Sequence, residues 1–368
     1  MSLEGILRLH PAWNFVADPH GAEMWDLRDG TRIRITAPRG LPEFLRLLRD
    51  GVSHSAWNDA VQGVGMTGED ARVLLDSMAD RGMVDTLDRP VEAPATKNGV
   101  GPRDRGDPLR SFFEHYSGPG GSGAQLFEWL RSATVVVFGL GGSGTWVVQT
   151  LAMLGVGRIR GIDSDVVESS NLGRQAFYRP ADLGRPKALV VQEQLSALNP
   201  DVRFEPLVTR IETERDFDDT ITDVDLVALP FAYMGRHPSR DLAARVCVAR
   251  GVAFLPFGLR AVGPLWMPGS NPCYRCVLPD PRTEALLAVS RSEATAQIDE
   301  LPYLPWLAAS ANRAADEIVR ALTGFLAPLT LGHVLSADSQ GGVERRSGHR
   351  RPDCPVCGAA GSGGTDVA

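Results

Sequence analysis

Two groups of side chains carry types and spacings that can do chemistry. The first lies between residues 134 and 187. Gly139, Gly141 and Gly144 fall in a G-x-G-G-x-G run, with Gly142 the additional glycine, directly after an apolar stretch at 135–138. In such a loop the first glycine permits a tight turn. The second lets backbone amides approach a phosphate, and the third lets the following helix pack close to the strand. Asp163 follows about twenty residues on, where a carboxylate can accept hydrogen bonds from ribose hydroxyls. A dinucleotide and ATP fit equally well up to this point. Asn171, Arg174 and Gln175 in the run NLGRQ, and Lys187 in GRPK, then favour a triphosphate, whose charge must be neutralised during attack at the α-phosphorus. Asp165 reads equally as a catalytic acid or as a residue that ties its own loop together. The second group is Cys273, Cys276, Cys354 and Cys357, two Cys-x-x-Cys pairs that suit a tetrahedral zinc site. Four thiolates leave no open position, so such a metal is structural. Cys247, the fifth cysteine, lies in an amphipathic stretch and reads as a small core residue rather than a nucleophile.

Several elements must position these groups. The run at 135–138 reads as a central parallel strand, followed by a helix over 145–154 whose N-terminus faces the loop, and by a second strand at 159–162. A later strand is expected at 225–229 and a helix at 239–250. Between them stands PFAYMG (230–235), with no carboxylate before Asp241; His237 in that connection reads as solvent-facing. Between the cysteine pairs, 304–323 has the pattern of a long core helix, and GHVLSAD with GGVERRS that of a late antiparallel hairpin. The stretch 278–301 contains no cysteine.

Residues 1–90 read as a separate small domain. Strands are expected at 16–26 and 31–35, joined by a turn at Asp29-Gly30. Helices follow at 41–48, 55–61 and 67–81. Thr67 caps the last, Asp70 takes the capping-box position, and Val73, Leu74 and Met78 share one face. Gly82 ends it, and MVDTL (83–87) closes the domain as a strand. The arrangement is winged-helix-like. Glu69, Asp70, Asp76 and Asp80 outnumber Arg72 and Arg81 on the third helix, and the whole chain carries a net charge of −7, so nucleic acid is not the expected partner. No run of 18 uncharged apolar residues exists and the N-terminus lacks a basic start before an apolar stretch, which points away from the membrane and to the cytoplasm. Residues 91–124, rich in Pro, Gly and charge, form a linker or arm in which Phe112, Phe113 and Tyr116 suggest a short packed helix. Residues 125–358 form the nucleotide domain and 359–368 a disordered tail.

The combination of GLGGSG, NLGRQ, GRPK and the paired cysteines resembles the ThiF/MoeB/HesA family of ATP-dependent adenylyltransferases, relatives of the ubiquitin-activating enzymes, over residues 130–358. The resemblance implies a Rossmann-like doubly wound α/β sheet with a structural zinc site made of four cysteines. Gly139, Gly141, Gly142 and Gly144 would cradle phosphates, Asp163 would hold the ribose, and Asn171, Arg174, Gln175 and Lys187 would bind the phosphate chain. Arg174, Lys187 and Asp165 would serve catalysis. It also implies a homodimer in which an arginine crosses to the partner; Arg110 lies near the region where the family carries an Arg-Gln pair. Family members place a magnesium-binding aspartate after the strand that here ends near Leu229. In this chain magnesium would fall to ATP and water, or to Asp163 or Asp165. The N-terminal domain resembles the PqqD-like module that binds leader peptides. The combined expectation is a leader-binding enzyme that adenylates a carboxyl group of a ribosomally made precursor peptide for cyclisation, amidation or dehydration. Two alternatives stand beside it: a non-adenylating leader-binding partner of a YcaO cyclodehydratase, and a sulfur-carrier-protein adenylyltransferase.

Overall fold

The computed structural model describes residues 5–10, 12–18, 21–36, 40–87, 105–116, 122–230, 238–269, 271–277, 303–338 and 342–358. The chain divides into two compact units, residues 1–127 and 128–368.

Among its described residues the first unit contains six strands: β1 (Ile6–Leu9), β2 (Trp13–Asp18), β3 (Gly21–Asp26), β4 (Arg32–Ile35), β5 (Val52–Ser53) and β6 (Val84–Leu87). They form two antiparallel sheets, β2-β3-β4 and β5-β1-β6. The stretch expected as one strand over 16–26 is two, with Asp18 paired to Gly21. Gly21 explains the break: a Cβ there would stand 2.2 Å from the Ile35 carbonyl oxygen, so only glycine lets the chain turn back this close to β4. The turn at Asp29-Gly30 forms as expected, with the Asp29 carboxylate accepting from the Thr31 amide and Gly30 at a φ of 76°. Helices run over Leu41–Asp50, Trp57–Gly63 and Gly68–Ala79. Thr67 caps the third, its hydroxyl oxygen accepting from the Asp70 amide at 3.1 Å and donating to the Asp70 carboxylate at 2.7 Å. Ala71 and Met78 turn to the core, whereas Val73, expected on that face, is exposed. Phe44, Leu45, Leu48, Met24 and Met78 form the buried centre. The arm contributes a helix at Asp107–Glu114, whose Phe113 is fully buried while Phe112 is exposed.

The second unit is an α/β layer structure. Its strands are β7 (Thr134–Phe138), β8 (Arg158–Ile162), β9 (Arg203–Leu207), β10 (Leu226–Pro230), β11 (Ala253–Phe257), β12 (Ala261–Val262), β13 (His333–Ala337) and β14 (Val343–Ser347). They order as β14-β13-β12-β11-β10-β7-β8-β9. The five from β11 to β9 are parallel and the rest antiparallel. The chain steps outward from β7 to β8 and β9, then returns to β10 on the other side of β7. Strand order therefore reverses beside β7, and at such a reversal a crevice opens at the carboxyl ends of the strands. Strand β9, which sequence patterning passed over, carries Pro206 and lies at the sheet edge, where a missing N–H is tolerated. The helix Gly142–Leu154 starts three residues earlier than its sequence pattern, because the end of the glycine loop is already its first turn. The helix Leu304–Thr323 lies beside it, with the Thr150 hydroxyl donating to Asn312 at 2.6 Å. Among the described residues no helix is long and apolar enough to cross a membrane.

Candidate functional site

The glycine loop leaves β7 at Gly139, whose φ of 109° suits glycine. A Cβ on Gly144 would stand 1.9 Å from the Gly139 carbonyl oxygen, so the third glycine is what allows helix and loop to touch. A Cβ on Gly142 would come within 2.7 Å of a Leu307 methyl, from the neighbouring helix. At Gly141, by contrast, a Cβ would meet nothing within 4 Å, so the backbone there faces open space. Gly141 caps the following helix without a side-chain hydrogen bond, which leaves the first-turn amides free to face an anion.

Asp163, directly after β8, is built into this loop. One carboxylate oxygen accepts from the Leu140 amide at 2.7 Å and the other from the Asp165 amide at 2.8 Å. Burial pushes its pKa up, and the two amides pull against that shift. A carboxylate has about four acceptor positions, so each oxygen retains one. Beyond it, the Val167 amide donates to Arg185 and the Gly184 amide to Val167, which folds GRPK back along residues 165–167. Lys187, buried at the start of the helix Lys187–Leu198, then places its Nζ 2.9 Å from Asp165 Oδ2. Asp165 thus does tie its loop, through Lys187.

The NLGRQ turn meets the loop from the other side. Thr145 donates from its hydroxyl to the Gly141 carbonyl at 2.8 Å and accepts from the Ala176 amide at 3.1 Å. The Trp146 indole N–H donates to the Arg174 carbonyl, and the Tyr178 hydroxyl donates to the Leu140 carbonyl at 2.8 Å. Asn171 is buried and spends its side-chain oxygen on the Glu168 amide, capping its own short turn. The Arg174 guanidinium donates to the Ser170 carbonyl. Gln175 is buried with its side-chain oxygen unpartnered. The structure therefore brings Gly139, Gly141, Gly142, Gly144, Asp163, Asp165, Asn171, Arg174, Gln175 and Lys187 onto one connected set of segments at the carboxyl ends of β7 and β8. Thr145, Trp146 and Tyr178, which hold the set together, were not singled out from sequence. Only Thr145, adjoining the glycine run, had a positional signal.

The connection 231–237, with His237, and the stretch 278–302 lie outside the described residues. Asp241, the first carboxylate after β10, is held elsewhere: it accepts from the Tyr274 hydroxyl and takes a two-pronged contact from Arg275, the shortest at 2.6 Å. Tyr274 and Arg275 stand between Cys273 and Cys276. Those two thiols and those of Cys354 and Cys357 all lie within 4.8 Å of one another, an arrangement that could hold a metal ion. Cys247 is fully buried and burial pushes its thiol far up, which removes it as a nucleophile.

The ThiF family profile matches residues 120–356. The sulfur carrier protein adenylyltransferase of Thermus thermophilus is 36% identical over 240 residues, covering 63% of this chain and 84% of that protein. The sulfur carrier protein ThiS adenylyltransferase of Escherichia coli is 31% identical over 239 residues, covering 63% of this chain and 88% of that protein. Among solved structures, E. coli MccB with ATP superposes with a TM-score of 0.72 at 19% identity, over 96% of this chain and 100% of that one. The chain belongs to the ThiF family, as an adenylyltransferase of the ThiF type.

Proposed function

We propose that this protein binds ATP at the β7–β8 loops and adenylates a carboxyl group of a ribosomally made precursor peptide, whose leader the N-terminal unit holds. One carboxylate oxygen bonds to the α-phosphorus while the bridging bond to the β-phosphorus breaks, and the electron pair leaves with pyrophosphate. Ionised carboxylate is the attacking group, so no proton moves. The Gly142 helix terminus and the Lys187 and Arg174 cations stabilise the charge that develops. The Asp163 acceptors suit ribose hydroxyls.

One observation carries the choice of a peptide substrate. The curated sulfur-carrier relatives match 63% of this chain, whereas the MccB fold extends over 96% of it and so includes the N-terminal unit. One MccB structure contains N-formylated MccA. Among the described residues strand β4 pairs only with β3, an edge where an extended peptide can add as a strand beside the apolar side chains of Ile33 and Ile35. The higher identity of the sulfur-carrier enzymes favours the second reading, a small carrier protein as substrate. A third reading, a leader-binding partner of a YcaO enzyme, predicts leader binding without adenylation. Exchange of labelled pyrophosphate into ATP decides among them. Exchange should depend on a precursor peptide and fall at least a hundredfold in Lys187→Ala; dependence on a sulfur carrier instead supports the second reading, and leader binding with no exchange the third.

The four thiolates fit zinc by donor type and number. A bound ion would cross-link the two cysteine pairs, which are 81 residues apart, without entering the reaction. Magnesium fits less well. Both Asp163 oxygens already hold backbone amides, and Asp165 offers one oxygen beyond its Lys187 contact, so no step is assigned to a protein-bound magnesium ion.

A further inference from the structure

At the same carboxyl-end edge of the sheet that carries Asp163 after β8, a cation with no acidic partner among the described residues follows β11. Arg260 follows β11 by three residues, in a tight turn closed by the Gly258 amide donating to Ala261 at 2.8 Å. Its own carbonyl accepts from the Ala337 amide at 2.8 Å, and Ala261 pairs with Ser336 of β13, so its backbone is fixed on both sides. The guanidinium lies 4.9 Å from the centre of the Trp306 ring, and Tyr303 meets the same ring edge-on at 5.3 Å and 84°. Trp306 and Tyr303 are exposed, two aromatic surfaces beside a charged one.

The position is set by the sheet. Pro230 pairs in register with Phe257, and Pro230 also lies against Gly139 and Gly144, so the carboxyl ends of β7, β10 and β11 form one rim. Trp306 sits in the first turn of the helix Leu304–Thr323, next to Leu307, which touches Gly142. The Arg260–Trp306 pair is thus carried by the helix that packs on the phosphate-loop helix, at the end where Leu307 meets Gly142. Asp163 holds the opposite, β8 side of that loop. A nucleotide with its ribose on β8 and its phosphates on the Gly142 helix leaves the β10–β11 rim for the group that attacks the α-phosphorus. That group is a carboxylate anion, and a carboxylate at a chain end can reach this rim with the fewest neighbouring residues to accommodate. Stacking on an indole holds a guanidinium's plane while leaving its N–H edge free for carbonyl and carboxylate oxygens.

We propose that Arg260, stacked on Trp306, binds the carboxyl-terminal segment of the acyl substrate and aligns it with the nucleotide. The assignment rests on the nucleotide reading of the β7–β8 loops and holds for a peptide or a carrier protein alike. Adenosine sulfamate and its acylated form, an acetyl-Gly-Gly acyl-sulfamate of adenosine, separate the two sides of the site in the full-length protein. Wild type should bind the acylated probe at least tenfold more tightly than adenosine sulfamate. Arg260→Gln and Trp306→Leu should lose that tenfold advantage while binding adenosine sulfamate within twofold of wild type, and Arg260→Lys should recover only part of it. Equal affinities for the two probes in wild type, or an undiminished advantage in Arg260→Gln, would overturn the subsite and leave the nucleotide site standing. Failure of wild type to bind either compound would instead remove the nucleotide reading, and the subsite with it.

Discussion

Asp163 fixes the Leu140 and Asp165 amides with one carboxylate, and in the proposed nucleotide site its remaining acceptor positions would take a ribose. Because burial raises its pKa, the group takes up a proton at a higher pH than an ordinary aspartate. The sign follows directly: as pH falls through that raised value the acceptors are lost, so nucleotide affinity should drop on the acid side, earlier than a free carboxylate would dictate. Asp163→Asn should cost about 1.5–3 kcal/mol of nucleotide binding, the usual worth of a hydrogen bond to a charged group, and should flatten that acid limb. Titration calorimetry with ATP between about pH 4 and pH 8, a window that brackets an aspartate raised from its ordinary value, would check both; an unchanged limb in the variant would locate the titrating group elsewhere. At this scale the sequence was readable where chemistry is local. Glycine spacing, the acid after a strand and paired cysteines each declare a geometry within a few residues. The duties of Asn171 and Arg174 in shaping their own turn, and the Lys187 contact to Asp165, were not readable, because they depend on how two distant segments fold back together.

At the scale of elements, the glycine loop is a contact between a strand end and a helix start. Gly144→Ala would set a methyl group against the Gly139 carbonyl, a backbone atom that cannot swing aside. The expected cost is about 1–3 kcal/mol, as for overpacking generally. It should appear as a lower urea midpoint with an unchanged slope, together with weaker ATP binding. Gly141→Ala serves as the control, since its Cβ would meet no protein atom; stability should hold while nucleotide binding suffers. The parallel strands β7 and β10 were legible from their apolar runs, β8 from its place after the glycine-loop helix, and the long helix Leu304–Thr323 from its period. Strand β9 was hidden by Pro206. The division of residues 16–26 into β2 and β3 turned on the single close approach of Gly21 to Ile35, which no periodicity reveals.

For the whole molecule, the cysteine pairs join segments from either side of the helix Leu304–Thr323 and the β13–β14 hairpin. If zinc closes them, metal analysis should return one ion per chain, and a strong chelator should lower the thermal midpoint by several degrees; an unchanged midpoint would remove the structural role. The first pair also brings Tyr274 and Arg275 onto Asp241, so the loss should reach the helix Pro238–Arg250 as well. The separation of the pairs has a consequence in time. At about 5–20 residues per second, a ribosome needs about 4–16 s to go from Cys273 to Cys354, 81 residues on. Throughout that interval the first pair is an incomplete dithiol, open to oxidation or to a wrong metal. If zinc is the cross-link, a nascent chain oxidised in that state loses it before the residues meant to complete it exist.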